Sequence, residues 1–228
     1  MRIGLLIAVE IKAFINEYSG TYTKESMYNF DIYKVKEGDL ELVAVHSEAG
    51  QTFAAAATML LINEFMVDVI INYGVVGALK DDIKTLHTCI VDQVVHYDYD
   101  ISEIDKVEVG RHLEYDSIYI PNSKKLIELA RRVNPELPLL TLASGDKFIG
   151  NPDKKRELGE RFGADICDME GAGIALIANR ANVPYLMIKT ISDSLEGEAA
   201  EYMNTFKESS SLCMKITKEI VKQMGQHR

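Results

Sequence analysis

The stretch that decides the fold is IGLLIAVE, residues 3–10. Residues 3–8 run without a polar side chain, which is typical of a strand buried on both faces. A strand of this kind lies between two layers of helices. The run ends at Glu10, so an acid stands where the strand is expected to end.

Outward from this run, apolar β-type segments alternate with helical ones. We predict further strands at residues 30–35, 40–45, 69–72, 88–95, 139–143 and 185–191. The first two flank the turn Glu37-Gly38-Asp39 as a hairpin, which interrupts a pure βαβ rhythm. No repeat or linker divides the chain. The sequence therefore predicts an α/β fold, with a single three-layer α/β/α domain and a mixed central sheet over residues 1–228.

The predicted helices cover residues 52–65, 123–133, 152–162, 169–180 and 199–224. Segment 52–65 is rich in alanine and apolar on most sides, which indicates a buried helix. Asn151-Pro152 supplies a cap followed by proline at the first helical position. The last segment contains consecutive serines at 209–211, where we expect the helix to break.

Composition excludes several classes of protein. The chain has 228 residues, 47% hydrophobic and 26% charged, with a formal net charge of -10. That charge argues against nucleic acid or an anionic membrane as a partner. The apolar run near residues 54–62 is too short to span a bilayer, and the N-terminus lacks a signal-peptide cleavage site. Three scattered cysteines without CxxC suit reduced thiols, so we expect a cytoplasmic protein.

Common site signatures fail in this sequence. There is no GxGxxG and no HExxH, and the five histidines show no metal-ligand spacing, so no metal or cofactor is expected. Gly145 and Gly150 have the spacing of a phosphate-binding loop, but Asn151 stands where its lysine belongs. Ser144 lies in LASGD and not in a GxSxG elbow.

Polar residues remain at the ends of apolar runs, where open α/β sheets bind ligands. These are Glu10, Gly74 with Gly77 in an expected turn, Ser144-Gly145-Asp146, Asp168-Met169-Glu170 and Ser192-Asp193. Each alone is explained more simply as a cap or a turn residue. Together they favour one cleft.

The same residues carry a resemblance to a known family. IGLLIAVE, INYGVVGAL, ASGDKFI, DMEGAGIA and KTISD follow in the order and at the spacings of the methylthioadenosine/S-adenosylhomocysteine nucleosidases, in the purine nucleoside phosphorylase superfamily. The resemblance covers nearly the whole chain. It implies a nucleoside phosphorylase-like α/β/α domain, usually a homodimer, that cleaves the N-glycosidic bond of a purine nucleoside.

The resemblance also implies roles for individual residues. Asp193 matches the general acid that protonates the purine at N7, with Ser192 holding its carboxyl, and such an acid needs a desolvated setting to keep its proton. Glu170 matches the residue that binds the ribose hydroxyls as an ionised carboxylate, beside the sugar's developing cation. Met169 would lie against the ribose, and Gly74 belongs to the glycine loop of the site.

At the base and 5′ ends the resemblance gives four more positions. Phe148 would stack on the purine and the backbone of Ile149 would read its edge. Ile101 and Ile104 match positions that line the pocket for the 5′-substituent, and their apolar character suits a thioether. The implied reaction is hydrolysis of 5′-methylthioadenosine or S-adenosylhomocysteine, a step of methionine salvage.

The sequence departs from the family at the nucleophile end. Lys12 stands at the position of the family's water-activating glutamate, and Lys189 at that of an arginine. Three alternatives follow: Glu10 serves as the base, Lys12 and Lys189 bind phosphate in a phosphorylase, or the protein binds a nucleoside without turnover. Segment 194–206 also departs, so whether Tyr202, Met203 or Phe206 covers the pocket is open.

Overall fold

A mixed β-sheet runs through the fold. The computed structural model describes residues 1–226, and ten strands form one hydrogen-bonded sheet within that range. The strands are β1 (Arg2–Ile7), β2 (Tyr22–Met27), β3 (Phe30–Glu37), β4 (Leu40–His46), β5 (Val69–Ala78), β6 (Thr88–His96), β7 (Tyr119–Pro121), β8 (Leu139–Ser144), β9 (Ile166–Asp168) and β10 (Tyr185–Asp193). β1 lies between the parallel strands β4 and β5, whereas β2, β3 and β4 form an antiparallel meander. The predicted mixed sheet is confirmed.

Helices cover both faces of this sheet. They are α1 (Ile11–Glu17), α2 (Gln51–Asn63), α3 (Ser102–Asp105), α4 (Lys124–Val133), α5 (Pro152–Phe162), α6 (Gly171–Arg180) and α7 (Ala199–Gln226). One apolar core joins the sheet to α2 and α6, and a second joins it to α1, α4 and α7. Side chains alternate along β1, so Leu6 enters the first core while Leu5 and Ile7 enter the second. This explains why residues 3–8 are apolar throughout.

Strand β5 is longer than the sequence predicts. We expected it to end at residue 72 and a turn to contain Gly74 and Gly77, and that expectation is wrong. The strand continues to Ala78 because β10 pairs with it in parallel through Gly74 and on to Gly77. The backbone partner, rather than the local side chains, keeps these glycines extended.

Five strands of the sheet close into a ring. β5 pairs with β10 and β9, β10 pairs with β6, β6 with β8, and β8 with β9. The pairs β10–β6 and β5–β9 are antiparallel. The ends of β5 and β10 thus meet the ends of β8 and β9 across a closed ring, and not along the edge of an open sheet.

Helix α7 shows no break at its serines. Its 28 residues are continuous within the described chain. The hydroxyl of Ser210 donates to Phe206 O at 2.6 Å and that of Ser211 to Lys207 O at 2.8 Å, while Ser209 donates to Ile191 O in β10. Because each hydroxyl finds a carbonyl acceptor, the serines are accommodated inside the helix.

Most other element predictions are confirmed. Asn151 caps α5 by accepting a hydrogen bond from Lys154 N, and α4 begins after Ser123. Strands β2, β7 and β9 are missed, the last two because a three-residue strand shows no periodicity. Within residues 1–226, no helix has the length and apolar character needed to cross a bilayer.

Candidate active site

Two glycines of β5 make room for two carboxylates. A Cβ atom on Gly74 would lie 2.9 Å from Glu10 Oε1, and one on Gly77 would lie 2.9 Å from Asp193 Oδ2. Both separations are shorter than a normal carbon–oxygen contact, so glycine permits the close approach that any other residue would prevent. The fold therefore holds both acids against the same strand.

Glu10 follows β1 and turns its side chain into the fold. It is 4% exposed. Its Oε1 accepts a hydrogen bond from Val75 N at 2.8 Å, and its Oε2 accepts one from Val9 N at 3.0 Å. Burial raises the pKa of Glu10, although the charge of Lys189 and the two amides oppose that shift. A fixed carboxylate with a raised pKa has the properties of a general base.

Lys189 lies at the centre of a cluster of acids. It is buried in β10, with its Nζ 2.9 Å from Asp168 Oδ2. Burial alone would lower the pKa of Lys189, but the charges of Asp168, Glu170 and Glu10 outweigh it and raise the pKa. The lysine is therefore a cation whose charge is already balanced by carboxylates.

Glu170 lies at the N-cap position of α6, makes no capping hydrogen bond with its side chain, and faces the same cluster. Its Oε1 accepts a hydrogen bond from Gly50 N at 2.8 Å. Burial, followed by the charge of Asp168, raises the pKa of Glu170 to about 8, with Lys189 acting in the opposite direction. Burial therefore favours the protonated form of the ligand-free Glu170, whereas the sequence predicts an ionised carboxylate beside bound ribose. Hydroxyl groups that donate to it would favour ionisation.

Ser144, at the end of β8, links β9, α2 and α6 by hydrogen bonds. Its Oγ donates to Asp168 Oδ1 at 2.6 Å and accepts from Gln51 Nε2 at 2.7 Å and Ala172 N at 3.0 Å. Asp168 Oδ1 also accepts from Gly171 N at 3.1 Å. The sequence prediction missed Gln51, because a single polar residue at the start of an alanine-rich helix gives no signal of a network.

Asp193 ends β10 and is 2% exposed. Ser192 Oγ lies 2.7 Å from Asp193 Oδ1, and Lys155 Nζ lies 2.5 Å from Asp193 Oδ2. The expected setting was a desolvated carboxyl that keeps its proton. The structure shows the burial and adds a buried ammonium beside the carboxyl.

Lys155, which contacts Asp193, is a second buried polar residue that the sequence prediction missed. It is fully buried in α5, on the face that also buries Leu158 and Phe162. Its spacing from these two residues, i to i+3 and i+7, was the available signal, because it puts a lysine on an apolar helix face.

Aromatic rings meet at the loop between β8 and α5. Phe148 is 49% exposed, and its ring lies edge-on to Tyr202 with 5.3 Å between centroids. Tyr202 in turn contacts Phe206 at 5.4 Å. Ile149 is half-buried, whereas Met203 is exposed. The residue of α7 that lies against Phe148 is thus Tyr202, and Met203 faces away.

Tyr202 also lies close to the carboxylates. Burial, followed by the charges of Glu10, Glu170 and Asp193, raises the pKa of Tyr202 to about 12. The charges of three acids that the sequence predicts at one cleft therefore act on a single phenol.

The remaining predicted residues range from half-buried to exposed. Met169 is half-buried between β9 and α6, and Ile101 is half-buried before α3. Ile104 is 81% exposed, because the short helix α3 lies on the surface, so a single chain encloses no pocket around it. Lys12 is exposed on α1 and has no hydrogen bond or ion pair within residues 1–226. Lys189, its expected partner in an anion site, is buried.

The described chain also offers no metal centre. Within residues 1–226, no three or more His, Cys, Asp or Glu side chains are grouped so that they could hold a metal ion.

A family comparison agrees with this arrangement. The sequence model of the Phosphorylase superfamily matches residues 3–224. The chain belongs to the Phosphorylase superfamily. Among curated members, it is 31% identical over 223 residues to a 5′-methylthioadenosine/S-adenosylhomocysteine nucleosidase from Staphylococcus aureus, covering 95% of this chain and 97% of that protein. It is 29% identical over 212 residues to an aminodeoxyfutalosine nucleosidase from Campylobacter jejuni, covering 87% and 90%.

Solved structures of Phosphorylase superfamily members superpose along nearly the whole chain. Futalosine hydrolase of Helicobacter pylori has a TM-score of 0.92 at 26% identity and covers 98% of each chain. A 5′-methylthioadenosine/S-adenosylhomocysteine nucleosidase from the same organism, bound to butyl-thio-DADMe-Immucillin-A, has a TM-score of 0.91 at 26% identity over 98% of each chain.

Proposed function

We propose that this protein hydrolyses the N-glycosidic bond of a purine nucleoside. The observation that carries the proposal is the pair of buried acids, Glu10 and Asp193, held against Gly74 and Gly77 of one strand. Cleavage of this bond needs a proton for the departing base and a nucleophile at the sugar. Two carboxyl groups in different electrostatic settings supply these two roles.

Asp193 is the general acid. A purine anion leaves poorly, so the proton of Asp193 moves to purine N7 while the electron pair of the C1′–N9 bond moves to the base. Ser192 holds the carboxyl through Oδ1. A positioned acid contributes roughly 10²- to 10⁴-fold to the rate.

Glu10 takes the proton of the attacking water. The water oxygen bonds to C1′ as the base departs, and the water proton moves to Glu10. Two backbone amides fix the orientation of this carboxylate. Glu170 binds the ribose hydroxyls, and its negative charge, once they donate to it, lies near the sugar cation.

The charges favour water over phosphate as the nucleophile. Lys189 is the buried cation that acts on Glu10, but Asp168, Glu170 and Glu10 surround it. An incoming phosphate would meet acids whose charge the lysine already balances. Lys12 is exposed and does not add a second positive charge. The phosphorylase alternative therefore lacks the excess positive charge that it requires.

Purine release measures the activity directly. We expect chromatography to detect free base from a purine nucleoside at the same rate with and without phosphate. A rate that depends on phosphate would show a phosphorylase. Binding of the nucleosides without release of any base would show the non-catalytic alternative.

The identity of the 5′-substituent is a separate question. The names of the relatives point to 5′-methylthioadenosine, S-adenosylhomocysteine or aminodeoxyfutalosine as substrates of those proteins. We propose a 5′-thioether nucleoside, and hence a step of methionine salvage, because Ile101 and Ile104 offer an apolar surface. Comparison of kcat/KM for all three compounds tests this choice.

We further propose that the protein is a cytoplasmic homodimer. Large apolar side chains are exposed on α2, on α3 and in the loop that follows α3: Phe53, Met59, Ile104 and Leu113. A second copy that covers them would remove this apolar surface from water. A monomer by light scattering at micromolar concentration would contradict the dimer.

A further inference from the structure

The ammonium group of Lys155 makes three hydrogen bonds to residues outside its own helix. Its Nζ donates to Asp193 Oδ2 at 2.5 Å, to Ser194 O at 2.6 Å and to Gly197 O at 2.8 Å. An ammonium has three hydrogens, so every donor is used. One acceptor is the proposed acid, at the end of β10, and the other two lie in the short segment that joins β10 to α7.

A buried lysine on an apolar helix face is costly. Desolvation of an ammonium is recovered only when a carboxylate and further acceptors satisfy it, and an apolar residue of similar volume would otherwise pack there as well. The ion pair is therefore weak evidence for a stabilising role. Because stability does not account for a lysine at this position, we relate Lys155 to the chemistry of the Asp193 carboxyl that it contacts.

No other titratable group that faces Asp193 in the described chain carries compensating charge. Cys167 approaches from β9, and Tyr202 from α7. Burial raises the pKa of each to about 12, so both are neutral at pH 7. Lys155 is the cation that contacts Asp193.

We propose that Lys155 is the positioning residue of the general acid, a role that rests on the proposed function. Its ammonium fixes Asp193 Oδ2 and stabilises the carboxylate that remains once the Asp193 proton has moved to purine N7. The interaction is stronger after proton transfer than before it, so it assists the chemical step rather than substrate binding.

The pH dependence of kcat/KM for purine release tests this role. As the pH rises, activity falls where the free enzyme loses the proton of its acid. Without the ammonium, the buried carboxyl holds its proton more tightly. In Lys155→Met, the pH at which kcat/KM decreases should therefore be at least one unit higher than in wild type, and kcat should be lower by about tenfold or more. In Lys155→Arg, which keeps the charge, kcat/KM should decrease at nearly the same pH as in wild type.

The neighbouring Lys154 supplies the matched control. It is exposed on the same helix, so Lys154→Met should reproduce the wild-type profile. A wild-type pH profile in Lys155→Met, with only a lower rate, would show that Lys155 is merely structural and would overturn the proposal.

A measurement on the wild-type protein avoids dependence on folding of the variants. The Asp193 signal in carbon-13 NMR of labelled aspartate is identified by its loss in Asp193→Asn, and the Lys155 ammonium signal in nitrogen-15 NMR of labelled lysine by its loss in Lys155→Arg. Because the two groups are in contact, the Lys155 signal should move at the pH at which the Asp193 carboxyl signal moves. A Lys155 signal that stays in place while Asp193 titrates would contradict the inference. Failure of the wild type to release any purine would instead refute the proposed function, and the NMR result would still decide whether the two groups interact.

Discussion

Gly74 leaves room for the carboxylate of Glu10: a Cβ atom at position 74 would lie 2.9 Å from Glu10 Oε1. The strand and the acid are therefore fitted to each other. Gly74→Ala should displace Glu10 and lower kcat for purine release by about tenfold or more, because small misplacements of a reacting group are costly. Steady-state kinetics and circular dichroism together check the prediction.

Gly225→Ala is the control for this substitution. A Cβ there would lie 3.6 Å from its nearest neighbour, an ordinary contact with Leu40. Alanine in a helix should leave kcat unchanged and raise stability by up to about 1 kcal/mol. Full activity in Gly74→Ala would show that the position of Glu10 does not matter.

Glu10→Gln should remove the base and keep one of its two hydrogen bonds. The amide oxygen can still accept from Val75 N, but the side chain cannot take a proton from water. We expect kcat to fall by roughly 10²-fold or more, with nucleoside affinity largely retained. Lys12→Met serves as the control, since Lys12 is exposed and should tolerate the change. The opposite pattern, a large loss in Lys12→Met alone, would reject Glu10 as the base.

Asp193→Asn should separate binding from turnover. The amide oxygen can still accept a hydrogen bond from Lys155, but no transferable proton remains. Nucleoside binding, measured by calorimetry, should survive while turnover falls by roughly 10²-fold or more. Near wild-type turnover in the folded variant would mean that Asp193 only holds Lys155 and Ser192 in place.

Glu170→Gln should change how stability depends on pH. The pKa of Glu170 is about 8 in the folded protein, above its usual value of 4.5. A raised pKa means that its contribution to stability is complete at low pH and is lost as the pH rises towards 8. Relative to wild type, the free energy of unfolding of the variant should therefore rise between about pH 5 and pH 8, by roughly 1 kcal/mol per pH unit.

Urea unfolding of both proteins at pH 5, 6.5 and 8 measures this difference. Glu160→Gln, at an exposed position of α5, should show no pH-dependent difference from wild type. If the free energies of unfolding of wild type and Glu170→Gln differed by the same amount at all three pH values, the raised pKa would be contradicted.

The sequence located the candidate site well where its residues follow clear strands. Glu10 ends an apolar run and Asp193 ends another, and the structure brings both to β5. The sequence prediction was wrong where the local pattern of residues indicates one structure and the neighbouring strand imposes another. The glycines at 74 and 77 interrupt an apolar run and indicate a turn, but pairing with β10 keeps them in a strand. Their small size serves contacts with distant acids, which no local pattern records.

By itself, then, the sequence determined the α/β class, the order of most elements and the acids at the strand ends, because apolar periodicity and capping are local properties. Only the tertiary structure decided the closed ring, the exposure of Lys12 and Ile104, and the partners of Lys155 and Lys189. Each depends on which segments distant in sequence share a buried volume. Since the charge state of a buried group is set by its neighbours in space, the chemistry of Asp193 and Glu170 was fixed by packing and not by the motifs that contain them.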